Sequence, residues 1–151
     1  MVLNDLLIRQ NVFTKLILKD GDKELPKELK VKVMRIRMAY NKIKKNFDSE
    51  IQEFMESIIP EEFRILSNKA DRTSDENDRL ELLTNNINSE YQEFIRQKGS
   101  EEVSSIDDTF TIDEYTELLE VNAGNDTDIN GVKVSAINFM EVVYELFVKE
   151  D

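Results

Sequence analysis

The residues with the clearest chemical spelling lie at 125–134, "NDTDINGVKV". Asp126-x-Asp128-x-Asn130-Gly131 matches the first half of a calcium-binding EF-hand loop, with oxygen ligands at positions 1, 3 and 5 and glycine at 6. The second half departs from that pattern. Position 12, where a bidentate glutamate closes the site, is Ile137, and position 8 is Lys133, a cation beside the proposed ion. The same letters have a plainer reading. Asn-Gly is the strongest short hairpin signal, because a type I′ turn needs positive φ at both central residues. With Ile129 and Val132 closing the turn, the stretch predicts a two-stranded hairpin that leads into a helix capped by Ser135. A weak calcium site at Asp126, Asp128 and Asn130 is the alternative.

Other chemistry is bounded by what the 151 residues lack. There is no His, Cys or Trp. Disulfides, thiol nucleophiles, Cys/His metal sites and His-dependent triads are therefore excluded. Neither G-x-x-x-x-G-K-[ST] nor G-x-G-x-x-G occurs, so the known phosphate cradles are missing. Carboxylates, Lys, Tyr and Ser remain, none in a recognisable catalytic arrangement. The sequence predicts a protein that is not an enzyme and carries no cofactor.

The elements that would position these residues are mainly helical. Residues 4–18 form a short amphipathic pattern, and "DGD" at 20–22 marks a turn before Pro26. Leu29, Val33, Ile36, Tyr40, Ile43, Phe47, Ile51, Phe54 and Ile58 then recur at intervals of three and four, a helical stripe stopped by Pro60. A helix over 27–58 is about 48 Å long and implies an elongated molecule. Its stripe needs a partner. Thr73 and Glu76 spell a capping box, and Leu80, Leu83, Ile87, Tyr91 and Phe94 follow up to Gly99. The simplest arrangement is a long antiparallel, coiled-coil-like helical hairpin with the stripes facing each other. Met34, Met38 and Met55 are assigned to core packing. Residues 101–110 admit a strand around 103–106. Thr111 and Glu114 form a second capping box, and "SAINFMEVVYELFVKE" is a last helix, apolar on most sides.

The expected fold is thus mainly α: one elongated domain over 1–151, with a helical hairpin part (1–99) and a small acidic α+β part (100–151) containing the β-hairpin. No run is long and apolar enough for a membrane span, and the start does not read as a signal peptide. That places the chain in a cytoplasm or in a particle assembled there.

Charge divides along the same line. Residues 1–99 carry 18 acidic and 18 basic side chains, so the net charge of −12 lies wholly in 100–151. Residues 27–45 hold eight Lys/Arg against Glu28 alone. The total charge argues against nucleic acid as the main ligand. Partner contacts are expected instead from Arg35, Arg37, Lys42, Lys44 and Lys45 on the long helix, and from Phe139, Tyr144 and Phe147 on the last one. Other proteins, or a second copy, are the expected partners. Asp113, Glu114, Glu117 and Glu120 admit a second idea, an acidic decoy that occupies a host nucleic-acid-processing protein.

With this layout in place, the sequence resembles a family of small uncharacterised helical proteins encoded by tailed bacteriophages. A short apolar helix leads through a proline to "LPKELKVKVMRIRMAYNKIKKNFDSEIQEF", then a returning helix, then an acidic ending like "IDEYTELLEVNAGNDTDINGVKVSAINFMEVVYELF". The similarity is one of pattern over nearly the whole chain and brings no catalytic residue with it. It implies a phage protein that binds other proteins, as a virion component or as a particle or tail assembly factor.

Overall fold

The computed structural model describes residues 1–150. Helix α1 (Leu3–Phe13) is followed by a small ribbon of β1 (Lys19–Asp20) and β2 (Lys23–Glu24), with Gly21 at positive φ in its turn. Helix α2 (Lys27–Ile58), helix α3 (Glu61–Asn68) and helix α4 (Ser74–Gly99) come next. Helix α5 (Ile112–Asn122), strands β3 (Thr127–Ile129) and β4 (Val132–Val134), and helix α6 (Ala136–Phe147) complete the described chain.

Local chemistry sets most of these boundaries. Pro26 precedes the first turn of α2, where its missing N–H has no helical acceptor to lose. Pro60 separates α2 from α3 for the opposite reason, since a helix cannot run through it without losing a bond. Both capping boxes are formed. Thr73 and Thr111 each accept from the backbone three residues on, while Glu76 and Glu114 reach back to the cap N–H groups. Ser135 accepts from the Asn138 N–H at the start of α6.

The core is built by α1, the first half of α2, α5 and α6. Phe13 lies at its centre. Its ring stacks on Phe110 at 6.0 Å, meets Phe147 edge-on at 5.3 Å and tilts against Tyr40 at 5.6 Å. Leu29, Val33, Ile36 and Tyr40 of α2 are buried here, together with Leu118, Val121, Phe139, Met140 and Val143. This core crosses the 99/100 line drawn from the sequence, because α1 packs on α2 and α4 of the helical part and also on α6 beyond it. Two backbone bonds tie the chain start to the segment after α4: Leu3 donates to Glu101 O at 2.8 Å and Val103 donates to Met1 O at 2.9 Å. Residues 103–106 form no strand. Isolated bridges flank them instead, joining Val2 to Glu102 and Phe110 to Val148.

The second half of α2 leaves the core as an arm. It runs antiparallel to α4, with Phe54 stacked on Phe94 at 4.1 Å and Lys98 paired to Glu50 at 2.6 Å. Beyond the end of α2, the first half of α4 packs on α3, joined by Arg79–Glu62 at 2.8 Å and buried at Leu66, Leu83 and Ile87. The hairpin is therefore real but shared, since Pro60 breaks the outgoing strand of helix and α3 finishes it. The accessible surface is 9997 Å². A compact monomer of 17.7 kDa would expose about 8,000 Å². The excess accords with the exposed arm of α2, α3 and α4.

Candidate interaction surface

The hairpin at 127–134 accounts for its letters. Asn130 takes φ 52° and Gly131 φ 80°, the pair of positive angles that a type I′ turn requires. Thr127 pairs with Val134, Asp128 with Lys133 and Ile129 with Val132. The three candidate calcium ligands are committed elsewhere or spread apart. Asp126 Oδ1 accepts from the Ala136 N–H at 3.3 Å, at the entry to α6. Asn130 Oδ1 accepts from Asn11 Nδ2 at 3.2 Å. Asp128 lies on an extended strand, where residues two apart are roughly 6.8 Å from each other, whereas an EF-hand coils its ligands around one point. Among the described residues, no group of three or more carboxylates is placed to hold a metal ion.

The candidate cations of α2 divide into two sets. At 100° per residue, the buried Leu29, Val33, Ile36 and Tyr40 define one side of the helix. Lys27, Val31, Met34, Arg35, Met38, Lys42 and Lys45 fall within about 100° of arc centred on the opposite side. All seven are exposed, with Val31 at 57%, Met34 at 49% and Met38 at 71%. The methionines are thus outside the core to which the sequence assigned them. The angle on the helix decides this, and residue type does not. Among the described residues, Lys27, Arg35, Lys42 and Lys45 form no ion pair. Toward the end of α2 the same face turns to Ser49, Gln52, Glu53 and Glu56, so the apolar and basic strip is limited to 27–45, about 27 Å of helix.

The flanking cations are used within the chain. Lys44 pairs with Asp48 at 2.6 Å, Lys32 with Glu114 at 2.9 Å, and Lys30 with Glu24. Arg37 donates to the Leu16 carbonyl just beyond α1, with its Nε buried and unpartnered among the described residues. Burial lowers its pKa. Of the five cations expected to meet a partner, Arg35, Lys42 and Lys45 face outward and Arg37 and Lys44 do not.

The last helix also corrects an expectation. Phe139 and Phe147 are 1% and 0% exposed and belong to the core, so neither is available to a partner of the folded chain. A helix apolar on most sides is wedged between α1 and α5 instead of being presented. Tyr144 is half-buried, its ring edge-on to Tyr115 at 5.2 Å and its hydroxyl donating to Glu150.

Two polar groups that sequence reasoning missed lie inside. Asp108 is 4% exposed and receives Arg9 through Nε at 3.0 Å and Nη2 at 2.9 Å, with the Tyr40 hydroxyl donating to the same carboxylate. The guanidinium also sits over the Phe147 ring at 4.8 Å. Burial raises the Tyr40 pKa, and its bond to Asp108 raises it further. Both carboxylate oxygens are occupied, so the cluster acts as a strut joining α1, α2 and the 100–110 segment. Asn122 performs a similar task, accepting from the Ile17 N–H at 2.9 Å and donating to the Leu118 carbonyl at 2.8 Å. The available signals were an arginine inside an apolar helix and an aspartate between Ile106 and Phe110.

Comparison with family models, with curated proteins and with solved structures finds no match. The fold and the surface therefore rest on the residues themselves.

Proposed function

We propose that this protein works by binding other proteins, as a component of a bacteriophage particle or as a factor in particle or tail assembly. The observation that carries this reading is the outward face of α2. Val31, Met34 and Met38 form an exposed apolar stripe framed by four cations that make no ion pair among the described residues. Methionine adapts its shape to what it meets, and arginine is enriched where proteins touch. The arm built by α2, α3 and α4 supplies reach, and the resemblance to phage-encoded proteins supplies the setting. Mass spectrometry of purified particles tests the reading. Recovery of the chain at a stoichiometric level is expected, and its absence from particles and from assembly intermediates would overturn it.

A second reading draws on Asp113, Glu117 and Glu120, exposed along the outer side of α5. An acidic ridge of that kind suits a decoy for a nucleic-acid-binding protein. Such a decoy competes with DNA for its target in pull-downs from host lysate, and the lack of any DNA-competed partner argues against it.

A further inference from the structure

We infer that the Met34/Met38 face of α2 docks on the acidic end of a second copy of this chain, the α5–α6 surface. The inference rests on the protein-binding reading above and names the partner.

The two faces match in sign, in kind and in being left over. On α5, Asp113, Glu117 and Glu120 are exposed beside Ile112, which is 54% exposed. On α6, Glu141 and Glu145 are exposed beside Ile137, which is 72% exposed. The two helices are held side by side, with Tyr115 Oη donating to the Met140 carbonyl at 2.9 Å, so their outward carboxylates belong to one end of the molecule. Among the described residues none of these five carboxylates forms an ion pair, and neither do the four outward cations of α2. The remaining charges of the basic helix already show the preferred chemistry inside one chain, where Lys32 meets Glu114.

Within one chain this match is not made among the described residues. The outward face of α2 lies on the side of the helix opposite the core that α2 shares with α5 and α6, and Lys42 on it is exposed and unpaired among the described residues. A second copy brings its acidic end to the exposed strip, with Ile137 and Ile112 available to the methionines and five carboxylates available to four cations. A strip of about 27 Å by one helix width buries roughly 300 Å² on each partner, less than stable specific interfaces do, so the contact is weak and reversible in isolation. Repetition along an array would strengthen it by effective concentration. Because the pairing is exposed and charged, salt weakens it.

Sedimentation velocity over a wide concentration range tests the inference, at low and at high salt. Self-association that grows with concentration and is lost at high salt is expected. The triple variants R35E/K42E/K45E and E117K/E120K/E141K should each be monomeric while retaining the helical spectrum and melting temperature of the parent. Their charge-reversed faces should repel the intact faces of the parent and attract each other, so a mixture of the two variants restores association. Since the chain has no Cys, M38C carries a single fluorophore on the exposed face, and its emission should change with association. A parent protein monomeric at every concentration in low salt would overturn the inference, as would variants that associate like the parent or a mixture that stays monomeric. The outcome separates from the reading it rests on. If the parent is monomeric but α2-face variants fail to enter particles, a different protein occupies the face. If self-association holds and particles lack the chain, the particle assignment falls and the docking stands.

Discussion

Arg9 and Asp108, 99 positions apart in the chain, face each other through two parallel hydrogen bonds of 3.0 and 2.9 Å. The planar guanidinium fork fits a carboxylate in this way, and the arrangement fixes orientation as well as distance. Asp108→Ala would leave the guanidinium, with 17% of its side chain exposed, without its counter-charge. Breaking such a pair costs about 3–5 kcal/mol. Replacing both partners with apolar residues of similar shape should cost less than D108A alone. Urea denaturation of the single and double variants checks the order.

Tyr40 gives the fold an alkaline limit. Its phenol pKa is raised by burial and by Asp108, so folding favours the protonated form. That contribution is complete below the unfolded tyrosine pKa of about 10 and is lost as pH rises toward the folded value. Tyr40→Phe removes a hydrogen bond to a charged acceptor and should cost about 1.5–3 kcal/mol at neutral pH. The difference from the parent should narrow above about pH 10, as seen in melting curves at successive pH values.

Glu114 acts at the acid side. Burial pushes its pKa up, but the bonds from the Thr111 backbone and from Lys32 outweigh that and hold it below the ordinary glutamate value. Its stabilisation is present above the unfolded pKa and disappears as pH falls through the lower folded value. Glu114→Gln keeps a capping-box side chain and loses the charge pair. The variant should be slightly less stable at neutral pH and indistinguishable from the parent in strong acid.

Phe147 and the cations of α2 should behave in opposite ways. Phe147→Ala opens a cavity at the aromatic centre and is expected to cost about 3–5 kcal/mol. Substituting Arg35, Lys42 or Lys45 singly should change stability by no more than about 0.5 kcal/mol. Differential scanning calorimetry would separate the two classes.

The hairpin offers a test of calcium against turn geometry. Gly131→Ala forces a Cβ into positive φ and should cost about 1–2 kcal/mol. Millimolar calcium should raise the melting temperature no more than magnesium does, and a calcium-specific rise would reinstate Asp126, Asp128 and Asn130 as ligands.

What was legible in the sequence was local. Thr73 with Glu76, Thr111 with Glu114, Ser135, Pro60 and Asn130-Gly131 each carry their meaning within four residues, and each does in the structure what its chemistry dictates. The length of α2 followed from its stripe. What was not legible depends on partners far away in the chain. Nothing near Asp108 announces Arg9, and nothing in "SAINFMEVVYELFVKE" tells a wedged helix from a presented one until α1 and α5 are seen to enclose it. Met34 and Met38 show a third kind of failure. Their hydrophobicity suggested the core, while their angular position on α2 had already put them outside it.

The joining of α1 to α6 through Phe13 and Phe147 has a consequence for biosynthesis. When α1 leaves the ribosome, Phe13 can meet Tyr40 early, but its contacts with Phe110 and Phe147 wait for the last third of the chain. At 5–20 residues per second, α1 waits roughly 7–27 s for α6. During that interval α2, α3 and α4 can pack on α1 and on one another as they emerge. The aromatic centre around Phe13 is complete only when α6 adds Phe147. Because the arm lies outside that centre, adding or removing matched helical turns in α2 and α4 would change the reach of the molecule without touching the residues around Phe13.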